Sequence, residues 1–189
     1  VRKKLEFPFT KDKLKELRAG DEVLISGTIY TARDQAHKRL VEMIDRGEKL
    51  PFELKDSAIY YVGPSPARPG KVIGSAGPTT SYRMDTYAPV LLDLGHSVMI
   101  GKGQRSDEVK QAVVRNGAVY LAAIGGAAAL IAKSIKAAEV IAFEDLGAEA
   151  VRRLEVEAFP AVVVLDTIGG DWYEEGRKSY LGEMERSAI

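Results

Sequence analysis

The sequence predicts an α/β domain built on a largely parallel main sheet, with a smaller second sheet beside it. Three observations lead there. Short apolar runs alternate with helical patterns along most of the chain. Glycines and capping residues fall where such elements have to turn. The two earliest strands, about 21–30 and 57–63, are less regularly interleaved with helices, which points to the second sheet.

The elements follow in order. "DEVLISGTIY" (21–30) alternates through Val23 and Ile25 and reads as a strand. "TARDQAHKRLVEMIDRG" (31–47) reads as a helix with Ala36, Leu40, Met43 and Ile44 on one face and Gly47 as its stop. "SAIYYVG" (57–63) and "KVIGSA" (71–76) read as strands. "MDTYAPVLLDLG" (84–95) carries Tyr87, Val90, Leu91 and Leu94 at helical spacing, and Pro89 sets the helix start near itself or kinks it. "SVMIGKG" (97–103) is a strand ending in glycines, "SDEVKQAVVRNG" (106–117) a capped helix, "AVYLAAIGG" (118–126) a strand and "AAALIAKSI" (127–135) a small-residue helix. "EVIAFEDLG" (139–147), "AEAVRRLEV" (148–156) and "AVVVLD" (161–166) complete the pattern. The polar tail, about 171–189, is expected to be partly disordered.

The chain reads as a single domain over its 189 residues, with a core at about 20–166. Lys+Arg (27) balances Asp+Glu (27), so there is no electrostatic case for nucleic acid or an anionic membrane surface. No apolar run approaches the roughly 20 residues that span a bilayer. The opening "VRKKLEFPF" has too short an apolar part for a signal peptide, and a cytoplasmic protein is expected. The first residue is not Met, as expected of a chain trimmed or cut from something longer. There are no cysteines, which excludes disulfides, thiolate metal sites and a cysteine nucleophile within the chain. His37 and His96 are the only histidines, so a histidine-based metal site is not expected either.

In open α/β sheets, sites gather at the carboxyl ends of the strands. There the sequence sets "TARD", "GPTTSYRMD", "GKG" and "GG". Arg33, Arg83 and Lys102 are three cations at three such ends, and Thr79, Thr80 and Ser81 add hydroxyls. Each residue has a plainer explanation. Thr31 with Asp34 fits a capping pattern, Thr80 an N-cap, Lys102 a solvated turn and Arg83 a local ion pair with Asp85. His37, one turn after Arg33, fits a structural hydrogen-bonder, and Gly125 with Gly126 close helix–strand packing. Taken singly the plainer explanations win or tie. Taken together, three cations at successive strand ends favour an anion site. Two guanidinium forks suit a molecule with two carboxylates.

The stretches "SGTIYTARDQAHKRL", "YYVGPSPARPGKVIGSAGPTTSYRMD", "MIGKG", "YLAAIGGAAAL" and "FEDLGAEAVRRLEVEAFPAVVVLD" resemble the β subunit, or equivalent C-terminal domain, of class I fumarases and L-tartrate dehydratases. The resemblance implies reversible hydration of a small dicarboxylate and a swivelling β/β/α three-layer fold. It implies a four-iron four-sulfur cluster held by the cysteines of a partner α subunit in an α2β2 heterotetramer, with none bound by this chain alone. The cluster iron would act as a Lewis acid on the departing hydroxyl. Carried onto matching positions, Arg33, Arg83 and Lys102 look like ligands of the substrate carboxylates, and Thr79 looks like the proton-abstracting base. Asp34, His37, Thr80, Gly125 and Gly126 fill supporting positions. Fumarate hydratase is the main expectation and L-tartrate dehydratase the near alternative. A non-catalytic anion-binding or regulatory domain is the alternative from another class.

Overall fold

The structure is a computed structural model and describes residues 2–123 and 128–187. Its elements are β1 (Lys3–Glu6), α1 (Lys11–Leu14), β2 (Glu22–Thr31), α2 (Asp34–Asp45), β3 (Ala58–Tyr60), α3 (Ala88–Asp93), β4 (Val98–Gly101), α4 (Asp107–Asn116), β5 (Val119–Ala123), α5 (Ala128–Ser134), β6 (Ile135–Ala142), β7 (Val151–Leu165) and α6 (Trp172–Ser187), with short 3₁₀ segments at Ser81–Met84 and Glu144–Glu149. The chain is mixed α/β. The neighbours β1–β2–β3–β4–β5 pair in parallel, whereas β7 runs antiparallel to β2, β5 and β6.

All seven strands belong to one sheet, in the order β1-β2-β3-β4-β5-β7-β6. The expected smaller sheet is therefore not separate: β2 and β3 lie within the main one. Pairing of β7 with both β5 and β2 closes β2-β3-β4-β5-β7 into a ring. Side chains alternate across a strand, so each strand feeds two cores. Tyr60, Val98, Ile100, Val119, Leu121 and Val163 bury on one face among Leu5, Phe9 and Phe159. Ile59, Tyr61, Met99, Tyr120 and Val164 bury on the other, under Leu40, Leu91, Leu92, Val109 and Val113 from α2, α3 and α4. Burial on both faces explains why β4 reads as an unbroken apolar run.

Local chemistry accounts for the helix limits. In α4 the Ser106 hydroxyl accepts the Val109 amide and Gly117 closes the helix with φ 61°. α3 begins beside Pro89, which suits a first turn. At α2 the expected cap fails. Thr31 ends β2 fully buried, and its hydroxyl accepts the Arg152 amide (3.0 Å), so the residue before the helix is Arg33. A tertiary partner has taken the capping group.

Three further expectations change. "KVIGSA" forms no strand. Ser75 N donates to Ser65 Oγ (2.7 Å) and Ser65 N to Ser75 O (3.0 Å), so the segment's hydrogen bonds close a loop. The segments 148–156 and 161–166 are not separate elements, because residues 151–165 form the single 15-residue strand β7. Within the tail, Trp172–Ser187 is a helix, α6. Asp171 Oδ1 accepts the amides of Tyr173 (3.0 Å) and Glu174 (3.3 Å), and Lys110 pairs with Asp171 and Glu174 at 2.8 Å each. An aspartate before "WYEE" was the legible signal. Among the described residues no helix is long and apolar enough to cross a membrane.

Both histidines are buried. Burial holds His37 neutral, with its pKa lowered to about 4, and burial also lowers His96 to about 3. In the unfolded chain both titrate near the ordinary histidine value of 6.5. Between the folded and unfolded values the unfolded chain binds more protons, so stability falls as pH drops. Stability should be flat in these groups above about pH 6.5. From there to about pH 4 each histidine should cost about 1.4 kcal/mol for every pH unit of acidification. Urea unfolding across that range checks this. Equal midpoints at both ends would show that the buried sites are not closed to protons.

Candidate functional site

Because β2, β3, β4 and β5 run parallel, the residues that follow them emerge on one edge of the sheet. Beyond Tyr60 the chain stays beside β4 for one more residue, with Tyr61 N donating to Ile100 O (2.8 Å). It then leaves through 62–78 and returns at the motif "GPTTSYRMD". There Thr79 N donates to Tyr61 O (2.7 Å), Thr80 bridges Lys102 as a parallel partner, and Ser81 N donates to Lys102 O (2.9 Å). Thr79–Ser81 thus replaces β3 as the neighbour of β4 where β4 ends. Gly101 makes this approach possible: a Cβ there would overlap Ser81 Oγ and stand 2.9 Å from Tyr61 Cδ2.

Backbone pairing therefore brings Thr79, Thr80 and Lys102 together. Thr79 and Thr80 are half-buried and Lys102 is exposed. Thr80 precedes the 3₁₀ segment, as expected of a cap, but its side chain makes no capping hydrogen bond. Its link to the site is its backbone. Arg83 lies two residues on, in the 3₁₀ segment, and is exposed. The local ion pair with Asp85 is not made. Asp85 binds Arg105 instead, Oδ1 to Nε at 2.7 Å, and among the described residues Arg83 has no ion-pair partner.

Arg33 stands between β2 and α2, a quarter exposed, with Asp34 and Glu149 each 3.7 Å from its guanidinium. Those are charge contacts too long for hydrogen bonds, and Arg33 Nε and Asp34 Oδ1 are both buried without a partner. The guanidinium lies against Gly63, where a Cβ would come within 2.9 Å of it. Gly63 is two residues beyond Tyr61, so Arg33 neighbours the strand end that holds Thr79. His37 Nδ1 is 2.9 Å from the Arg33 carbonyl. A carbonyl only accepts, so Nδ1 carries the proton and Nε2, buried without a partner, is bare. Gly125 and Gly126 lie outside the described residues.

Sequence reasoning missed the support beneath these residues. Arg105 is fully enclosed, and its guanidinium carbon sits 5.3 Å from the Tyr61 ring and 4.8 Å from the Tyr120 ring. Its partner is 20 positions away, a distance at which no local pattern signals a pair. Lys102 also borders a cavity of about 350 Å³ with Pro78, Ala122, Val164, Trp172 and Tyr173. Neither Arg33, Thr79 nor Arg83 lines that cavity. The donor set does not fit a metal cluster. The sequence offers no thiolate, and among the described residues no three His, Asp or Glu side chains group closely enough to hold a metal.

Comparison with known proteins agrees with the resemblance seen in the motifs. Fumarate hydratase 2 of Leishmania major is 44% identical over 167 residues, 87% of this chain and 29% of that protein. The aerobic class I fumarate hydratase of Salmonella typhimurium is 41% identical over 186 residues, 96% of this chain and 32% of that protein. A Methanocaldococcus jannaschii protein named "Putative L(+)-tartrate dehydratase subunit beta" is 43% identical over 183 residues, covering 92% of this chain and 94% of that one. The chain spans about a third of the length of these fumarate hydratases and nearly all of the third relative. The family described as Fumarase C-terminus matches residues 1–176, and the chain belongs to that family.

Proposed function

We propose that the chain is the non-cluster portion of an iron–sulfur hydro-lyase interconverting fumarate and L-malate, with Arg33, Arg83 and Lys102 as carboxylate ligands and Thr79 as the base. The observation that carries this reading is the seating of Thr79–Ser81 against the end of β4. It sets the backbone of Thr79 and Thr80 beside Lys102 and leaves Arg83 without an acidic partner among the described residues.

The chemistry suits these residue types. Removing the proton beside a carboxylate moves negative charge onto that carboxylate, and fixed cations aimed there stabilise the transition state. The proton passes to the Thr79 alkoxide oxygen, and the C–H electron pair becomes the new carbon–carbon double bond. The hydroxyl departs from the neighbouring carbon with the C–O electron pair. Release of the proton from Thr79 to solvent restores the alkoxide and makes the net loss one water. A threonine hydroxyl accepts a proton only where nearby cations favour its alkoxide, and the proposal gives that part to Lys102, whose backbone pairs with Thr80, the neighbour of Thr79. The cluster belongs to a cysteine-bearing α partner in an α2β2 assembly, since this chain's donors do not fit it. The swivelling β/β/α arrangement and a cytoplasmic location complete the proposal.

L-Tartrate dehydration is the second reading. The relative with a β-subunit name matches this chain almost end to end, and the same cations grip any short dicarboxylate. A non-catalytic anion-binding domain is the third. Assaying the chain with its partner on malate, fumarate and both tartrates separates the three.

Single substitutions test the side-chain roles. Arg83→Lys keeps the charge and loses the fork, so kcat/KM of the assembled enzyme should fall by about 2–5 kcal/mol of transition-state stabilisation. With Asp85 committed to Arg105, an unchanged kcat/KM would leave Arg83 without a role at the site. Thr79→Ala should unfold at nearly the wild-type temperature and lower kcat far more than it raises KM, the pattern of an interaction lost in the transition state. Thr80→Ala should be almost neutral in stability, because its side chain makes no capping bond. Steady-state kinetics with thermal unfolding checks both variants. Wild-type kcat in Thr79→Ala would remove the assigned base.

A further inference from the structure

Arg105 is the most deeply enclosed charge associated with the site. Its Nε donates to Asp85 Oδ1 at 2.7 Å, Asp85 Oδ2 accepts the Ser106 amide at 2.7 Å, and its remaining nitrogens have only weak partners. These are Met99 Sδ at 3.3 Å and the Tyr61 hydroxyl at 3.4 Å. Such a pair is a poor source of stability, because desolvating two charges costs about as much as their attraction returns, and well-packed apolar side chains often do better. Its connections point to another purpose.

Each arm of the pair reaches a segment that carries a proposed ligand. Asp85 directly follows the 3₁₀ segment bearing Arg83. Tyr61, stacked on the guanidinium, holds the Thr79 amide through its carbonyl. Tyr120, whose ring centroid lies 4.8 Å from the same guanidinium carbon, leads to Lys102. Its hydroxyl stands 2.8 Å from the Gly103 carbonyl and 2.9 Å from Ser81 Oγ, and Ser81 Oγ accepts the Lys102 amide at 3.0 Å. A carbonyl only accepts, so the Tyr120 proton goes to Gly103 and Ser81 supplies the proton between the two hydroxyls. The run from the Lys102 amide to Gly103 is then fully ordered. We infer that Arg105, Tyr120 and Ser81 are positioning residues, which lock the Thr79–Arg83 segment and the Lys102–Ser106 segment into one rigid unit.

This inference rests on the hydro-lyase reading for its catalytic consequence, and the test separates the two. Tyr120→Phe and Ser81→Ala each delete one hydroxyl, and Arg105→Lys keeps the charge without the fork. In the assembled enzyme each should lower kcat about 10- to 100-fold, the cost of a small misplacement of reacting groups, with a smaller change in KM. Hydrogen exchange at the Lys102 amide, measured on this chain alone, should accelerate in Ser81→Ala and Tyr120→Phe. Val113→Ala, in the same core but outside the network, should lower the unfolding temperature and keep kcat. If Arg105→Lys does not fold, the two hydroxyl variants decide. The inference is overturned if both keep wild-type kcat while Arg83→Lys is damaged, or if Lys102 exchange is unchanged in both. If Arg83→Lys and Thr79→Ala are silent, the hydro-lyase reading fails instead, and the exchange result still decides whether the unit is locked.

Discussion

Strand β7 is hydrogen-bonded to three other strands, and its longest partnership is with β2. The pairing runs antiparallel from Glu22↔Val162 to Tyr30↔Arg153, with a bulge between Ile25 and Gly27. Because β7 also pairs with β5, it turns an open parallel sheet into a ring. Closure removes the edges that β2 and β5 would otherwise expose. It also fixes β2, β3, β4 and β5 with their carboxyl ends on one rim. The interior, with Phe9, Phe159, Tyr60 and Ile100 buried, leaves little room for the rim to shift.

On that rim the arrangement departs from a regular sheet at one place. β3 is only three residues long, and its position beside β4 passes to Thr79–Ser81. The chain thereby delivers two hydroxyls and an arginine to a strand end without a helix or a long strand to carry them. Short irregular segments of this kind are held by what lies under them. Here that is a buried ion pair beside two tyrosine rings, joined through Asp85 to the Ser106 amide, with the Tyr120 hydroxyl leading on to Ser81 Oγ. Rigid support beneath an irregular, polar rim is the general requirement for a site that must aim fixed charges.

In the proposed reading the rim of this chain is one wall of a site. Lys102 and Arg83 are exposed, and the cavity Lys102 borders is lined mainly by apolar side chains, which do not suit a dicarboxylate. A second wall from a partner accords with the fumarate hydratase relatives, which are about three times as long as this chain.

Much was legible in the sequence. Alternation located β2, unbroken apolar runs buried on both faces located β4 and β5, and helical spacing located most helices, since burial imposes its pattern locally. Ser106 and Gly117 bounded α4 because capping acts within a few residues. The motif "GPTTSYRMD" and "GKG" read as two segments at strand ends, and the backbone pairing of Thr80 with Lys102 brings those segments side by side. What sequence could not supply was every feature set by partners far along the chain. Thr31 lost its cap to Arg152, and Asp85 gave up Arg83 for Arg105. Residues 151–165 became one strand because three others offered it hydrogen bonds. In each case a local preference worth about 1 kcal/mol or less met a hydrogen-bonding partner from far along the chain, and only the tertiary structure brings that partner within reach.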